Sequence, residues 1–359
     1  MTQKSEAPAL ILAFLVTAGL VGSGVWWLTQ KVEITLSSLF SSNNSSPSTP
    51  ASTADSSNEA NPTTTDAQAF EQVKNVPSGL FNYGGSTSWA PIRGQIDPAI
   101  QQAQPQFKLR YTDPVNATPG SGSGIRMLLD GQLAFAQSSR PVEDKEYQQA
   151  QQRGFTLKQV PVGLEAIAIA VHPSLPVAGL NLEQLKGIYT GKFTNWNQVG
   201  GPDLAIVPYS RRLQDGGTVE FFVSNLLAGQ PLGSNVQSVY STTDALRKVS
   251  GNPGGIYYAS APEIVPQCSV KPLAIARTGS TFIAPYQEPL VPPEACPAQR
   301  NQINLDVFKS NTYPITRQLF VVIKQNGQIE QQAGEAYTSL LLTEQGQQLL
   351  NQTGFVRIR

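Results

Sequence analysis

The sequence predicts an α/β fold. Short β-branched or aromatic runs alternate with helical spacing from Pro77 onward, and glycine-rich polar turns stand where strands give way to helices. The strand-like runs are residues 80–83, 107–111, 133–136, 164–171, 204–209 and 318–324. Three helices are clear from apolar residues recurring three and four apart. They are 122–130 with Ile125, Leu128 and Leu129, 218–227 with Val219, Phe222, Val223 and Leu226, and 329–342 with Ala333, Ala336, Tyr337, Leu340 and Leu341. No internal repeat of fixed period interrupts the pattern.

Composition removes several function classes. Lys plus Arg equals Asp plus Glu at 25 each, so no basic field exists to hold nucleic acid. One histidine, His172, and two cysteines are too few for a zinc or iron–sulfur site, and no metal or cofactor is expected. His172 has no nucleophile in view, so the chain is not expected to be an enzyme. Cys268 and Cys296 share a Pro-rich stretch, residues 265–297, with few signs of regular structure. A disulfide there would stabilise the fold by about 3 to 4 kcal/mol through loop closure, two buried free thiols being the other reading.

From Ala7 to Leu28 the chain carries no charge, and 22 residues at about 1.5 Å rise match a hydrocarbon core of about 30 Å. An uncleaved signal-anchor over 7–28 is expected, with Trp26 and Trp27 as an interfacial belt; a cleaved signal peptide is the rival. Residues 41–69 are almost wholly small and polar, so 41–77 is expected to be a flexible linker of about 30 Å root-mean-square span. The globular part would then stand outside the cytoplasmic membrane, held by a single pass.

Three turns could hold an anion. Gly84-Gly85-Ser86-Thr87-Ser88 follows the first strand, and Gly120-Ser121-Gly122-Ser123-Gly124 opens the helix at 122–130. Arg212-Leu213-Gln214-Asp215-Gly216-Gly217-Thr218 opens the helix at 218–227. Glycine lets the backbone approach a ligand, unpaired N–H groups at a helix start face a negative charge, and a guanidinium donates two parallel bonds to an oxyanion. The glycine spacing matches neither the G-x-x-x-x-G-K-[ST] nor the G-x-G-x-x-G nucleotide pattern, and no G-x-S-x-G elbow is present.

At these turns the sequence resembles the phosphate-binding proteins of bacterial ABC importers, over nearly all of residues 79–355. The most specific stretch runs from Leu185 to Asn197 and ends in Asn195-Trp196, where Trp196 is expected to pack rather than to touch ligand. Asn252 to Tyr258 and Tyr313 to Val322 match as well. The resemblance implies a two-lobed type II periplasmic binding fold whose lobes close on a ligand. The lobes are expected at 78–168 with 318–359 and at 169–317, with crossing strands near 164–171 and 314–322. It implies ligand roles for Thr87 and Ser88, for Ser121 and Gly122, for Ser139, and for Arg212, Gly216, Gly217 and Thr218.

Two positions depart from the family pattern. Ser139 stands where the best-known members have an aspartate, beside a second guanidinium, Arg140, that either joins the ligand set or is a surface or lobe-bridging charge. Gly216 replaces the serine of the family's S-G-T turn. The resemblance implies binding of phosphate or a related oxyanion for an ABC permease or a membrane sensor, phosphate against sulfate being open. A membrane-anchored sensor or interaction domain with lost or altered binding is the alternative.

Overall fold

The computed structural model describes residues 67–213 and 216–359. The expected spanning segment 7–28 and the linker up to residue 66 lie outside the described residues. Among the described residues no helix is long and apolar enough to cross a membrane. Residues 67–77, counted with the linker in the sequence, instead join the globular unit. Phe70 and Val73, the first apolar side chains after the polar run, are buried against the core, and Phe70 N–H donates to Gln345 Oε1 at 2.9 Å.

In chain order the elements begin with β1 (Gly79–Gly85), α1 (Ala90–Ala103), β2 (Phe107–Tyr111), α2 (Ser121–Leu129), β3 (Phe135–Ser138) and α3 (Asp144–Gln152). They continue with β4 (Thr156–Val171), β5 (Gly179–Asn181), α4 (Leu182–Tyr189), β6 (Val207–Ser210), α5 (Gly217–Phe221), β7 (Gln237–Ser238) and α6 (Thr242–Ser250). Then come β8 (Gly255–Ser260), α7 (Ala261–Ile264), β9 (Lys271–Ala276), α8 (Leu305–Lys309), β10 (Thr316–Gln325), α9 (Ile329–Leu341) and α10 (Glu344–Gln352).

The strand order is β2-β1-β3-β10-β4-β8-β6-β7, with β9 bridging β4 and β5. β1 pairs in parallel with β2 and β3, whereas β10 runs antiparallel to both β3 and β4. Side chains on this mixed sheet feed two main cores. One gathers Phe81, Trp89, Phe107, Phe135, Val162, Val321 and Tyr337; the other gathers Ile167, Ile169, Val171, Tyr189, Trp196, Phe222, Tyr258 and Ile315. β4 contributes to both, with Val162 in the first and Ala166 to Val171 in the second; β10 gives Leu319, Val321 and Ile323 to the first, while Ile315, just before it, packs in the second. Each therefore passes from one lobe to the other, and their mutual register runs from Thr316 opposite Ala166 to Gln325 opposite Thr156.

β4 is twice as long as the run the sequence suggested, because Lys158, Gln159, Pro161 and Gly163 break the apolar pattern of its first half while the backbone stays paired with β10. The helix expected over 218–227 holds α geometry only as far as Phe221 and continues as a π-helix over Phe222–Leu226. The Pro-rich stretch 265–297 does contain a strand. β9 pairs through Pro272 opposite Ala170, and its side chains from Pro272 to Ala276 are buried. Proline in mid-run hid it, since the ring removes a ladder donor. Cys268 and Cys296 are joined, with Cα atoms 5.7 Å apart and a sequence separation of 28.

Candidate functional site

The first turn follows β1 and packs beneath α1. Ser86 Oγ lies 2.9 Å from Ser139 Oγ, which follows β3, and Trp89 Nε1 donates to Ser138 O at 3.2 Å. The second turn begins α2, where Ser121 Oγ accepts from Ser139 N–H at 3.1 Å and sits 3.3 Å from Ser139 Oγ. Ser86, Ser121 and Ser139 are all fully buried. Three hydroxyls from distant parts of one lobe thus meet in a single cluster.

The third turn belongs to the other lobe and lies against this cluster. A Cβ placed on Gly217 would fall 2.5 Å from Ser121 Oγ and 2.7 Å from Ser139 Oγ, so only glycine permits the approach. Gly216 has φ +137°, a conformation that L side chains rarely adopt. The missing serine of the family pattern therefore has a backbone cause in this chain. Ser88 Oγ and Thr218 Oγ1 lie 3.1 Å apart across the lobes.

Between these hydroxyls sits Arg317, near the start of β10. Its Nε donates to Glu165 Oε2 on β4 at 2.8 Å, and Nη1 donates to Gly217 O at 2.9 Å. Nη2 donates to Ser88 Oγ at 2.8 Å and to Thr218 Oγ1 at 2.9 Å. A guanidinium can only donate, so both hydroxyl oxygens accept from it and their protons are turned elsewhere. Arg317 is 5% exposed and Glu165 1%, which makes this an ion pair at the crossing of the lobes with Glu165 Oε1 left unpartnered.

Beside this contact lies a cavity of about 520 Å³ walled by both lobes. Thr87, Thr118 and Pro119 line it on one side, and Arg211, Arg212, Thr218, Thr242, Tyr257 and Glu263 on the other. Of the residues singled out in the sequence, Thr87, Arg212 and Thr218 face this space together. Ser88, Ser121, Ser139, Gly216 and Gly217 form the adjoining lobe contact and do not line it. Burial pushes the Glu263 carboxyl upward, a nearby Glu165 adds to the rise, and bonding to Thr242 offsets part of it.

Arg140 stands apart from the cavity. Its Nε donates to Glu220 Oε2 of α5 at 3.0 Å, while Nη1 and Nη2 donate to the two oxygens of Glu146 at 2.9 and 2.8 Å. Burial alone would lower its pKa, but Glu146, Glu220 and Glu143 overturn that and raise it. Of the two roles open in the sequence, the contacts match the lobe bridge. Trp196 is fully buried and donates from Nε1 to Gly254 O at 3.1 Å, so the Asn195-Trp196 motif shapes the second lobe's core.

Arg317, Glu165 and Arg211 were not singled out in the sequence, and Ser86 stood in the first turn without a role of its own. Arg317 lay inside a matched segment, and a lone arginine flanked by Ile315 and Leu319 in a buried strand was the available signal. Nothing in the spacing could pair it with Glu165, 152 residues away.

Two cores joined by two long strands, with a cationic and hydroxyl-rich cavity between them, define a two-lobed solute-binding protein. The chain belongs to the PBP superfamily, whose domain model matches residues 24–345. It is 23% identical over 269 residues to the phosphate-binding protein PstS of Staphylococcus aureus (strain bovine RF122 / ET3-1), covering 73% of each chain. Among solved structures it is similar to a phosphate ABC transporter substrate-binding protein from Clostridium perfringens crystallised with bound phosphate. That likeness has 25% identity and a TM-score of 0.61, covering 78% of this chain and all of that one. An ABC-type phosphate transport receptor from Vibrio cholerae shares the fold at 23% identity and a TM-score of 0.58, over 77% of this chain and 99% of that one.

Proposed function

We propose that this protein captures inorganic phosphate, or a like oxyanion, between its lobes and presents it to an ABC importer. The single observation that carries the proposal is the shared cavity: Thr87 from one lobe meets Arg211, Arg212 and Thr218 from the other around one space. Arginine forks and hydroxyl donors in a partly desolvated gap replace the water around a tetrahedral anion, at roughly 1.5 to 3 kcal/mol for each bond to a charged group. The likeness to a protein crystallised with phosphate supports the choice of ligand. Binding rather than catalysis is the task, and the sensor alternative draws no support from the relatives, which are named for phosphate binding and transport.

Ser88, Ser121, Gly122, Ser139, Gly216 and Gly217 form the lobe contact that closes beside the anion, and Arg140 tethers the lobes through Glu220. The lobe boundaries at 168/169 and 317/318 put the hinge beside Arg317. The charge-free segment 7–28 anchors the chain in the cytoplasmic membrane and the linker lets the lobes reach the importer from outside it. Calorimetric titration of phosphate into the full chain tests this. Heat should appear with the native chain and vanish with Arg212→Ala; undiminished heat in that variant would sink the assignment of the cavity.

A further inference from the structure

The cavity has more room than a lone tetrahedral anion fills. The lobes are already in contact, with Arg140 on Glu220 at 3.0 Å, Ser88 on Thr218 at 3.1 Å, and Gly217 against Ser121 and Ser139. The 520 Å³ beside that contact opens to solvent on the side of Arg212 and Tyr240, both exposed, so a group attached to a bound anion has room to extend outward. Spaces of about 300 to 1,000 Å³ are those that enclose small organic molecules.

Chemistry changes along the cavity. Among the described lining residues Arg211 and Arg212 are the cations, and the buried Arg211 Nε has no hydrogen-bond partner. Past them the described wall turns to Thr242, Tyr240, Tyr257 and the carboxyl of Glu263. A second phosphate group would find no further cation there and would face Glu263. A neutral, hydroxyl-bearing group would find hydroxyls and an aromatic face. The Tyr240 ring is 86% exposed although it stands on the cavity wall, so an apolar edge of a ligand could cover it.

Building on the proposed oxyanion capture, we propose that this site takes phosphomonoesters, with the phosphoryl group at Arg211 and Arg212 and a neutral polyhydroxy substituent running toward Tyr240 and Tyr257. The test is calorimetry on the full chain with three probes: orthophosphate, glycerol 3-phosphate and pyrophosphate. Glycerol 3-phosphate should bind at least as tightly as orthophosphate, and pyrophosphate at least tenfold more weakly than either. Tyr240→Ala, a surface substitution that spares the core, should weaken the monoester about tenfold more than orthophosphate. Orthophosphate binding with no detectable monoester binding would overturn this proposal and leave oxyanion capture standing. Binding of neither probe would overturn both. An equal loss for both ligands in Tyr240→Ala would also overturn it, because the substituent would then lie elsewhere.

Discussion

Gly217 and Asp97 show how single side chains govern this molecule. At Gly217 an added methyl would overlap two buried serine oxygens, and neither can move without disturbing its partner. Gly217→Ala should therefore hold the lobes apart and weaken phosphate binding by tenfold or more, read by calorimetry, with the thermal midpoint little changed. Asp97 is buried in the first lobe, where it accepts from the Tyr83 hydroxyl and, at 2.9 Å, from the Tyr337 hydroxyl. Tyr337 in turn accepts from Gln137 Nε2 at 2.9 Å, and Arg93 donates from Nη1 to Gln137 Oε1 and to Ser86 O. Burial raises the carboxyl to about 6, with both tyrosines and Arg93 pulling it part of the way back. The folded state then holds more protons than the unfolded state between about pH 4 and 6, so stability falls as pH rises through that window. The loss integrates to roughly 3 kcal/mol. In Asp97→Asn, urea unfolding at successive pH values should show that slope flattened; an unchanged slope would mean the carboxyl does not titrate there.

At the scale of elements, β4 and β10 are the paired strands that connect the two lobes. A buried guanidinium paired across them is costly to break, because its removal strands Glu165 without a counter-charge. Arg317→Met should cost about 3 to 5 kcal/mol of stability by denaturant unfolding. Replacing both partners, Arg317→Met with Glu165→Leu, should recover most of it, since a matched apolar pair needs no desolvation of charge. The double variant still lacks the donors that orient Ser88 and Thr218. It should bind phosphate more weakly despite its restored stability, and native affinity in it would show that Arg317 only holds the strands together. The Cys268–Cys296 bridge closes a loop carrying β9 and should contribute about 3 to 4 kcal/mol, so reduction should lower the thermal midpoint measurably.

Across the whole molecule, the globular unit and the proposed membrane anchor at 7–28 lie in separate stretches of the sequence. Burial of Phe70 and Val73 marks where the globular unit begins. A chain lacking residues 1–66 should keep the phosphate affinity of the full chain and leave the membrane fraction, as judged by sedimentation and calorimetry. Persistent membrane association of the shortened chain would contradict anchoring through 7–28. The net charge of zero leaves the local cationic cavity, rather than a field over the whole surface, as the source of anion attraction. Added salt should therefore weaken phosphate binding only modestly, because a partly buried site is screened less than exposed charges are.

By itself the sequence determined the α/β class, the positions of the three turns, and the helix at 329–342, because apolar periodicity and glycine placement are local properties of the chain. Boundaries slipped where local signals conflict: Pro272 concealed β9, and Lys158, Gln159 and Pro161 concealed the first half of β4. Only the tertiary structure decided which hydroxyls share a cavity and which lock together, and that Arg317 meets Glu165, Ser88 and Thr218. Those contacts join segments from 18 to 229 residues apart, and their distances depend on how two lobes pack across paired strands. No pattern along the chain encodes such a distance; the sheet and its two cores do.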